Sequence, residues 1–389
     1  MRRHNYEGVA VCVPVTVPYS RYSLKSAHWF CGRALADLIS KAGIEKNEVD
    51  GFCVSSFTLN PDSAVGLTQH LGVSPRWLDH IPMGGAAGGV ALRRAARAVQ
   101  SGDAEIVACM GADTNHVDTF RQTIATFSQF ANDAVYPYGS GGPNSSFAFL
   151  TDYYMREYGA TREDFGKICI AQRENALDVP HAMMKRPLNM EQYLNARIIA
   201  EPLRLFDCVM PCAGAEAFLV MSIERAKSLD LDYATILSTI ERHNAFPEDP
   251  VQIRAGWAVD ADDFYEHAGI GPEDIDVFQA YDDYPIICFM QIEDLGFCAK
   301  GEAAAFIADR NLTTQGDFPY NTSGGQLSAG QAGAGGGYLG IVETLRQLTD
   351  QTLGKAVPNA VHGLASCFGM INYDRGLCTS AAILKRSAA

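Results

Sequence analysis

The chain has 389 residues, 47% of them hydrophobic, and a formal net charge of −14. That is enough apolar material for two domains with full cores, and the acidic balance excludes nucleic acid as an expected partner, because phosphate binding wants a basic face. No apolar run is long enough for a membrane span, and the MRRHNYEG start has no apolar segment of signal-peptide length behind it.

The eleven cysteines include no CxxC pair; Cys208 and Cys212 form a CxxxC. This usage reads as reduced thiols of a cytoplasmic protein, most of them small buried hydrophobes. The nine histidines are equally scattered, so no metal site is expected.

In chain order, the β-branched run 8–17 predicts a strand. Residues 27–42 carry apolar side chains at helical spacing and stop at Gly43. A strand is predicted over 49–56, a short helix over 64–71, a glycine-rich turn over 82–89, a helix over 90–100 and a buried strand over 104–110. This is a β–α–β rhythm. It breaks from about 115 to 205, where helices are predicted over 146–158 and 162–175; an insertion of this length covers a site. A strand over 215–222 closes the first half. The second half repeats the plan: strand 233–241, helix 259–268, strand 275–280 running into Tyr281-Asp282-Asp283-Tyr284, and helix 286–295. A glycine loop over 320–340, a helix from 340 and two strands near 360 and over 378–384 follow. The reading is an α/β fold made twice, residues 1–230 with the insertion and residues 231–389.

The 320–340 loop is the stretch the rest is organised around. Its glycines let backbone approach backbone or ligand, and a glycine turn feeding a helix offers free N–H groups. Asn321, Gln326, Leu327 and Gln331 interrupt it, which argues for a ligand loop over a flexible linker.

Four stretches carry a family likeness: DCVMPCAGAEA at 207–217, DIDVFQAYDDY at 274–284, EDLGFCAKGE at 293–302 and NTSGGQLS at 321–328. They resemble the thiolase superfamily, in its lipid-transfer-protein-like (sterol carrier protein-type) branch, over nearly the whole chain. The resemblance implies two mixed-sheet halves of five strands each in a layered α/β/α/β/α arrangement, a homodimer, and a CoA thioester substrate with no bound cofactor, coenzyme A being part of the substrate.

The chain departs from that family at its reacting positions. The nucleophilic cysteine before the first-half helix falls on Gly85. The Asn-Glu-Ala-Phe run becomes Tyr281-Asp282-Asp283-Tyr284, and Gly-His-Pro becomes Gly330-Gln331-Ala332. A C-terminal cysteine is kept as Cys367. This pattern resembles the nucleophile-lacking aldolases that pair with a DUF35-type (OB-fold and zinc-ribbon) protein and cleave β-hydroxyacyl-CoA side chains of steroids.

Such a cleavage needs a base for the β-hydroxyl, donors for the thioester enolate and an acid to return a proton. Tyr281, at the end of a buried strand, is the leading proton-transfer candidate, assisted by Asp282 or Asp283. Adjacent side chains of an extended chain point oppositely, so only one of the two faces the site. Asp283 reads as a helix cap, which leaves Asp282. Backbone N–H groups at Gly84, Gly85, Gly324, Gly325 and Gly330, with the Gln331 amide, are candidate substrate-binding donors. Tyr338, Cys367 and His362 complete the candidates. Lys185-Arg186 is a basic pair that CoA phosphates would suit. Two other readings stay open: acyl transfer from another nucleophile such as Cys367, and a non-catalytic subunit of a heteromeric thiolase.

Overall fold

The computed structural model describes residues 5–59, 64–118, 121, 125–126, 129, 135–372 and 375–387, so part of the insertion, between 119 and 134, lies outside the described residues. The strands are β1 (Val9–Ser20), β2 (Gly51–Ser55), β3 (Trp77–His80), β4 (Ile106–Asp113), β5 (Ile198–Ala200), β6 (Leu203–Arg204), β7 (Ala213–Ser222), β8 (Tyr233–His243), β9 (Val277–Gln279), β10 (His362–Asn372) and β11 (Arg375–Arg386). Strands β5 and β6 form a small ribbon in the insertion, and the other nine run in the order β3-β2-β4-β7-β1-β8-β11-β10-β9.

The two halves mirror each other in pairing. Each is parallel towards its outer edge (β2–β3 and β2–β4; β9–β10) and antiparallel towards the middle (β4–β7 and β7–β1; β10–β11 and β11–β8). The expectation of five strands per half holds for the first. The second contributes four among the described residues. The halves are stitched edge to edge where Ala10, Val11 and Cys12 of β1 pair with Thr235, Ala234 and Tyr233 of β8.

Three apolar layers stack on the sheet. Helix Ala27–Ala42 is started by the Ser26 side chain, which accepts the Trp29 N–H, and ended by Gly43 in the left-handed region. It packs Phe30, Leu35 and Leu38 with Val54, Ile106 and Leu219 on one outer face. Helices Pro285–Asp294 and Trp257–Ala268 cover the other outer face together with the insertion helices Asn144–Tyr158 and Arg162–Ala176. Between them lie the central helices, Ala87–Ser101 and Gly336–Leu348; Val90, Ile341, Val342 and Leu345 meet Val107 and Val220 from one half and Val277 and Ala382 from the other.

Both central helices start earlier than their composition predicts, at 87 instead of 90 and at 336 instead of 340. Glycine is a poor helix former, so the sequence reads as loop. Packing overrides it. A Cβ on Gly88 would stand 2.0 Å from the Gly337 carbonyl oxygen, so these glycines let two helices touch backbone to backbone. The 320–340 stretch is correspondingly ordered: a short helix Gly325–Ala329, a 3₁₀ turn Gly333–Gly335, then the central helix.

Candidate active site

The first-half turn ending at Gly85 and the Tyr281 end of β9 face each other across the contact of the central helices. A Cβ placed on Gly85 would lie 2.1 Å from Tyr281 Cζ and 2.3 Å from the Phe368 carbonyl oxygen. The aromatic ring thus occupies the space into which a side chain at 85 would project. The turn is closed on its other sides too. A Cβ on Gly369 would fall 2.8 Å from the Gly85 nitrogen, and one on Gly337 would fall 2.7 Å from the Gly85 oxygen. Gly84, at φ +52°, lies under Met370 and Phe57.

Tyr281 is held rigidly from its own backbone. Its N–H donates to Gln291 Oε1 at 3.0 Å and its carbonyl accepts from Gln291 Nε2 at 2.7 Å. The preceding Ala280 N–H donates to Asn321 Oδ1 at 2.8 Å. Buried amides that satisfy two backbone groups at once fix a turn where the sheet ladder ends.

The two aspartates exchange the roles the sequence suggests. Asp282 is 1% exposed; its Oδ1 and Oδ2 accept the N–H groups of Gln326 and Leu327 at 2.8 and 3.1 Å. It caps the 325–329 helix, satisfying orphan donors of a helix start. Asp283 caps nothing: helix Pro285–Asp294 begins from Tyr284 without a side-chain cap. Instead the Asp283 carboxylate lies near the Tyr281 hydroxyl, close enough to raise the phenol electrostatically, and accepts from Gln331 Nε2 at 2.5 Å. Gln331 Nε2 also reaches Tyr281 Oη at 3.4 Å. The residue after Tyr281 is turned away from the phenol and the next one returns to it, as the two-residue alternation of an extended strand requires. Only the choice between the two was misread.

Gln331 is itself positioned by the end of the insertion. Its N–H donates to the Met210 carbonyl at 2.9 Å, and its carbonyl accepts from the Cys212 N–H at 2.8 Å. The quoted 207–217 stretch therefore serves the site through one amide. Behind Tyr284, Phe147 stacks at 4.3 Å and Asn144 Oδ1 accepts the phenol at 2.6 Å.

Burial dominates the electrostatics. It pushes the Asp283 carboxyl up to about 7, against a lowering contribution from the Tyr281 hydrogen bond. Burial, then the nearby Asp283 charge, pushes the Tyr281 phenol well above its ordinary value. Near neutrality the phenol carries its proton and the carboxyl is poised between its two states.

Tyr338 and His362 fall elsewhere, whereas Cys367 lines the same small cavity as Tyr281. Tyr338 is a core residue: its ring packs on Gly111 and Phe218, and its hydroxyl meets Ser55 Oγ at 2.9 Å. His362 opens β10 with Nδ1 on the Asp274 carbonyl, six residues or about 20 Å along the strand from Phe368. The Cys367 thiol is turned into the central layer, donates to the Gly337 carbonyl at 3.4 Å and is pushed up by burial to about 11. Each cysteine whose titration is displaced is displaced upward by burial, the opposite of an activated thiolate.

Gly324 and Gly330 are φ-positive turn residues whose N–H groups are engaged by Asn321 and Gln326 carbonyls. Gly325 gives room to the Asp282 carboxylate, 2.2 Å from where its Cβ would be. Those three glycines shape the two ends of the 325–329 helix, which leaves Gly84 and Gly85, beside Tyr281, and the Gln331 amide as the candidate donors. Lys185 and Arg186 are exposed. Sequence reasoning missed Gln291 and Asn321 as holders of the turn; an isolated amide leaves no periodic signal.

Residues 239–384 match the family described as "Thiolase C-terminal domain-like". The chain is 33% identical over 344 residues to a "Steroid side-chain-cleaving aldolase" of Thermomonospora curvata, covering 84% of this chain and 87% of that protein. It is 31% identical over 390 residues to the "17-hydroxy-3-oxo-4-pregnene-20-carboxyl-CoA lyase" of Mycobacterium tuberculosis, covering 94% and 96%. Among solved structures, an "Ltp2-ChsH2(DUF35) aldolase" superposes with a TM-score of 0.83 at 29% identity, over 97% of this chain and 98% of that one. With relatives of this identity over nearly their whole length, and a phenol, a carboxyl and an amide gathered beside Gly85, the chain belongs to the thiolase superfamily, in its branch of thiolase-like aldolases.

Proposed function

We infer that this protein is a lyase that breaks the Cα–Cβ bond of a β-hydroxyacyl-CoA by retro-aldol chemistry, without a covalent acyl-enzyme. The observation that carries the reading is the Tyr281 ring set against Gly85, with Gln331 Nε2 reaching both the Tyr281 hydroxyl and the Asp283 carboxylate. A phenol above its ordinary pKa is a poor base alone but a good relay. The substrate β-hydroxyl gives its proton to Tyr281 Oη as Tyr281 gives its own to Asp283. The Cα–Cβ pair moves onto Cα as the β-carbon becomes a ketone or aldehyde. The thioester enolate then takes a proton at Cα by the reverse relay, leaving a shortened acyl-CoA. Gln331 keeps the two oxygens in register.

The relatives' names favour a steroid side chain as the acyl group, and the neighbour's DUF35 component favours a DUF35-type partner for this chain. A homodimer suits the outer edge of β3, the end strand of the sheet, whose four residues are all partly exposed. The test is incubation of the chain, with and without a DUF35-type protein, with a synthetic β-hydroxyacyl-CoA bearing a tertiary steroid carbinol. The expected products are the steroid ketone and the short acyl-CoA in equal amounts, with the intact protein mass unchanged throughout. An acylated protein, or cleavage that requires added free CoA, would refute the reading.

A further inference from the structure

Asn321, Ser323 and Gln326 are each no more than 2% exposed, and all three line one small internal cavity that Tyr281 also borders. Each brings to it one atom without a protein partner: Asn321 Nδ2, Ser323 Oγ and Gln326 Oε1. The Asn321 amide orientation is fixed by its other end. Asn321 Oδ1 accepts the Ala280 N–H, so the amide nitrogen is the free group. The Gln326 backbone N–H donates to Asp282, and its side-chain carbonyl oxygen is the unpartnered group. Two glycines give these amide ends room. A Cβ on Gly325 would stand 2.9 Å from Asn321 Nδ2, and one on Gly336 would stand 2.1 Å from Gln326 Oε1.

One donor, one acceptor and one hydroxyl of either role select the ligand. An N–H aimed into the space repels a cation, and a carbonyl oxygen aimed into it repels an anion. A molecule that donates and accepts at once, of water size, satisfies all three. Buried waters commonly make about three such bonds. We propose that this is an internal water site, binding one water to Asn321 Nδ2, Ser323 Oγ and Gln326 Oε1 where the 321–327 arm, the Tyr281 turn and the start of the second central helix meet.

The sign of one substitution tests it independently of any catalytic role. In a hydrated site, Ser323→Ala removes an anchor of the water, and the thermal midpoint of the full chain falls by about 2 °C. In a dry site, the same change deletes an unpaired buried hydroxyl, and the midpoint stays or rises. A crystal structure at better than about 2 Å, where ordered water is resolved, supplies the direct readout. A single water peak within hydrogen-bond distance of all three atoms is expected. A dry cavity, a metal ion at the peak, or an unchanged or raised midpoint for Ser323→Ala would overturn the proposal.

Discussion

At the scale of single residues, Tyr281 and Asp283 divide one task. Tyr281→Phe keeps the ring that fills the space beside Gly85 and removes only the hydroxyl, so turnover in the cleavage assay is expected to fall about 10²–10⁴-fold with the thermal midpoint nearly unchanged. Full activity in the phenylalanine variant would exclude the phenol. Asp283 must be ionised to accept the relayed proton. Its carboxyl is raised by burial to about 7, so the rate should climb with pH up to that value and level off above it. Asp283→Asn should lose both the activity and the limb, whereas Asp282→Asn, altering a helix cap, should keep the limb. An unshifted profile in Asp283→Asn would place the titrating group elsewhere. Gly85→Cys is expected to destabilise the protein and to give no thiolysis. The new Cβ meets the Tyr281 ring and the Phe368 carbonyl, and Gln331 cannot take the thiol proton as a histidine would; thiolysis by this variant would sink the argument.

At the scale of elements, the site depends on how closely the two central helices approach. Gly88 and Gly337 touch backbone to backbone, and the same contact sets the Gly85 turn against Tyr281. Gly88→Ala would have to push a carbonyl aside or part the helices, an overpacking that costs about 1–3 kcal/mol or more. A lowered midpoint in chemical denaturation, with turnover reduced although no site group has changed, is the expected result. A wild-type midpoint would show that the approach is looser than the geometry implies. Asp113 acts similarly between elements: its carboxylate accepts from Phe57 N, Thr58 N and Ala334 N at 2.9, 2.7 and 2.7 Å, pinning the end of β4 to the glycine-rich turn of the other half.

At the scale of the whole molecule, the reading of a homodimer with a DUF35-type partner is checked by light scattering. Two chains of 42.1 kDa are expected in the purified protein, with co-elution of the partner on co-expression; a monomer that ignores the partner would contradict it. The order of elements, the duplication and the four family-like stretches were legible in the sequence because apolar periodicity and local turn chemistry are written residue by residue. So was the absence of a side chain at 85, since glycine has none in any fold. Tertiary structure alone decided which aspartate meets the phenol, that Tyr338 and His362 stand apart, that Cys367 faces the core, and that most of the glycines near the site serve packing and capping. Those outcomes turn on which side of a strand a residue faces and on how near two distant backbones come. Both are set by contacts between residues hundreds of positions apart, which no local pattern records.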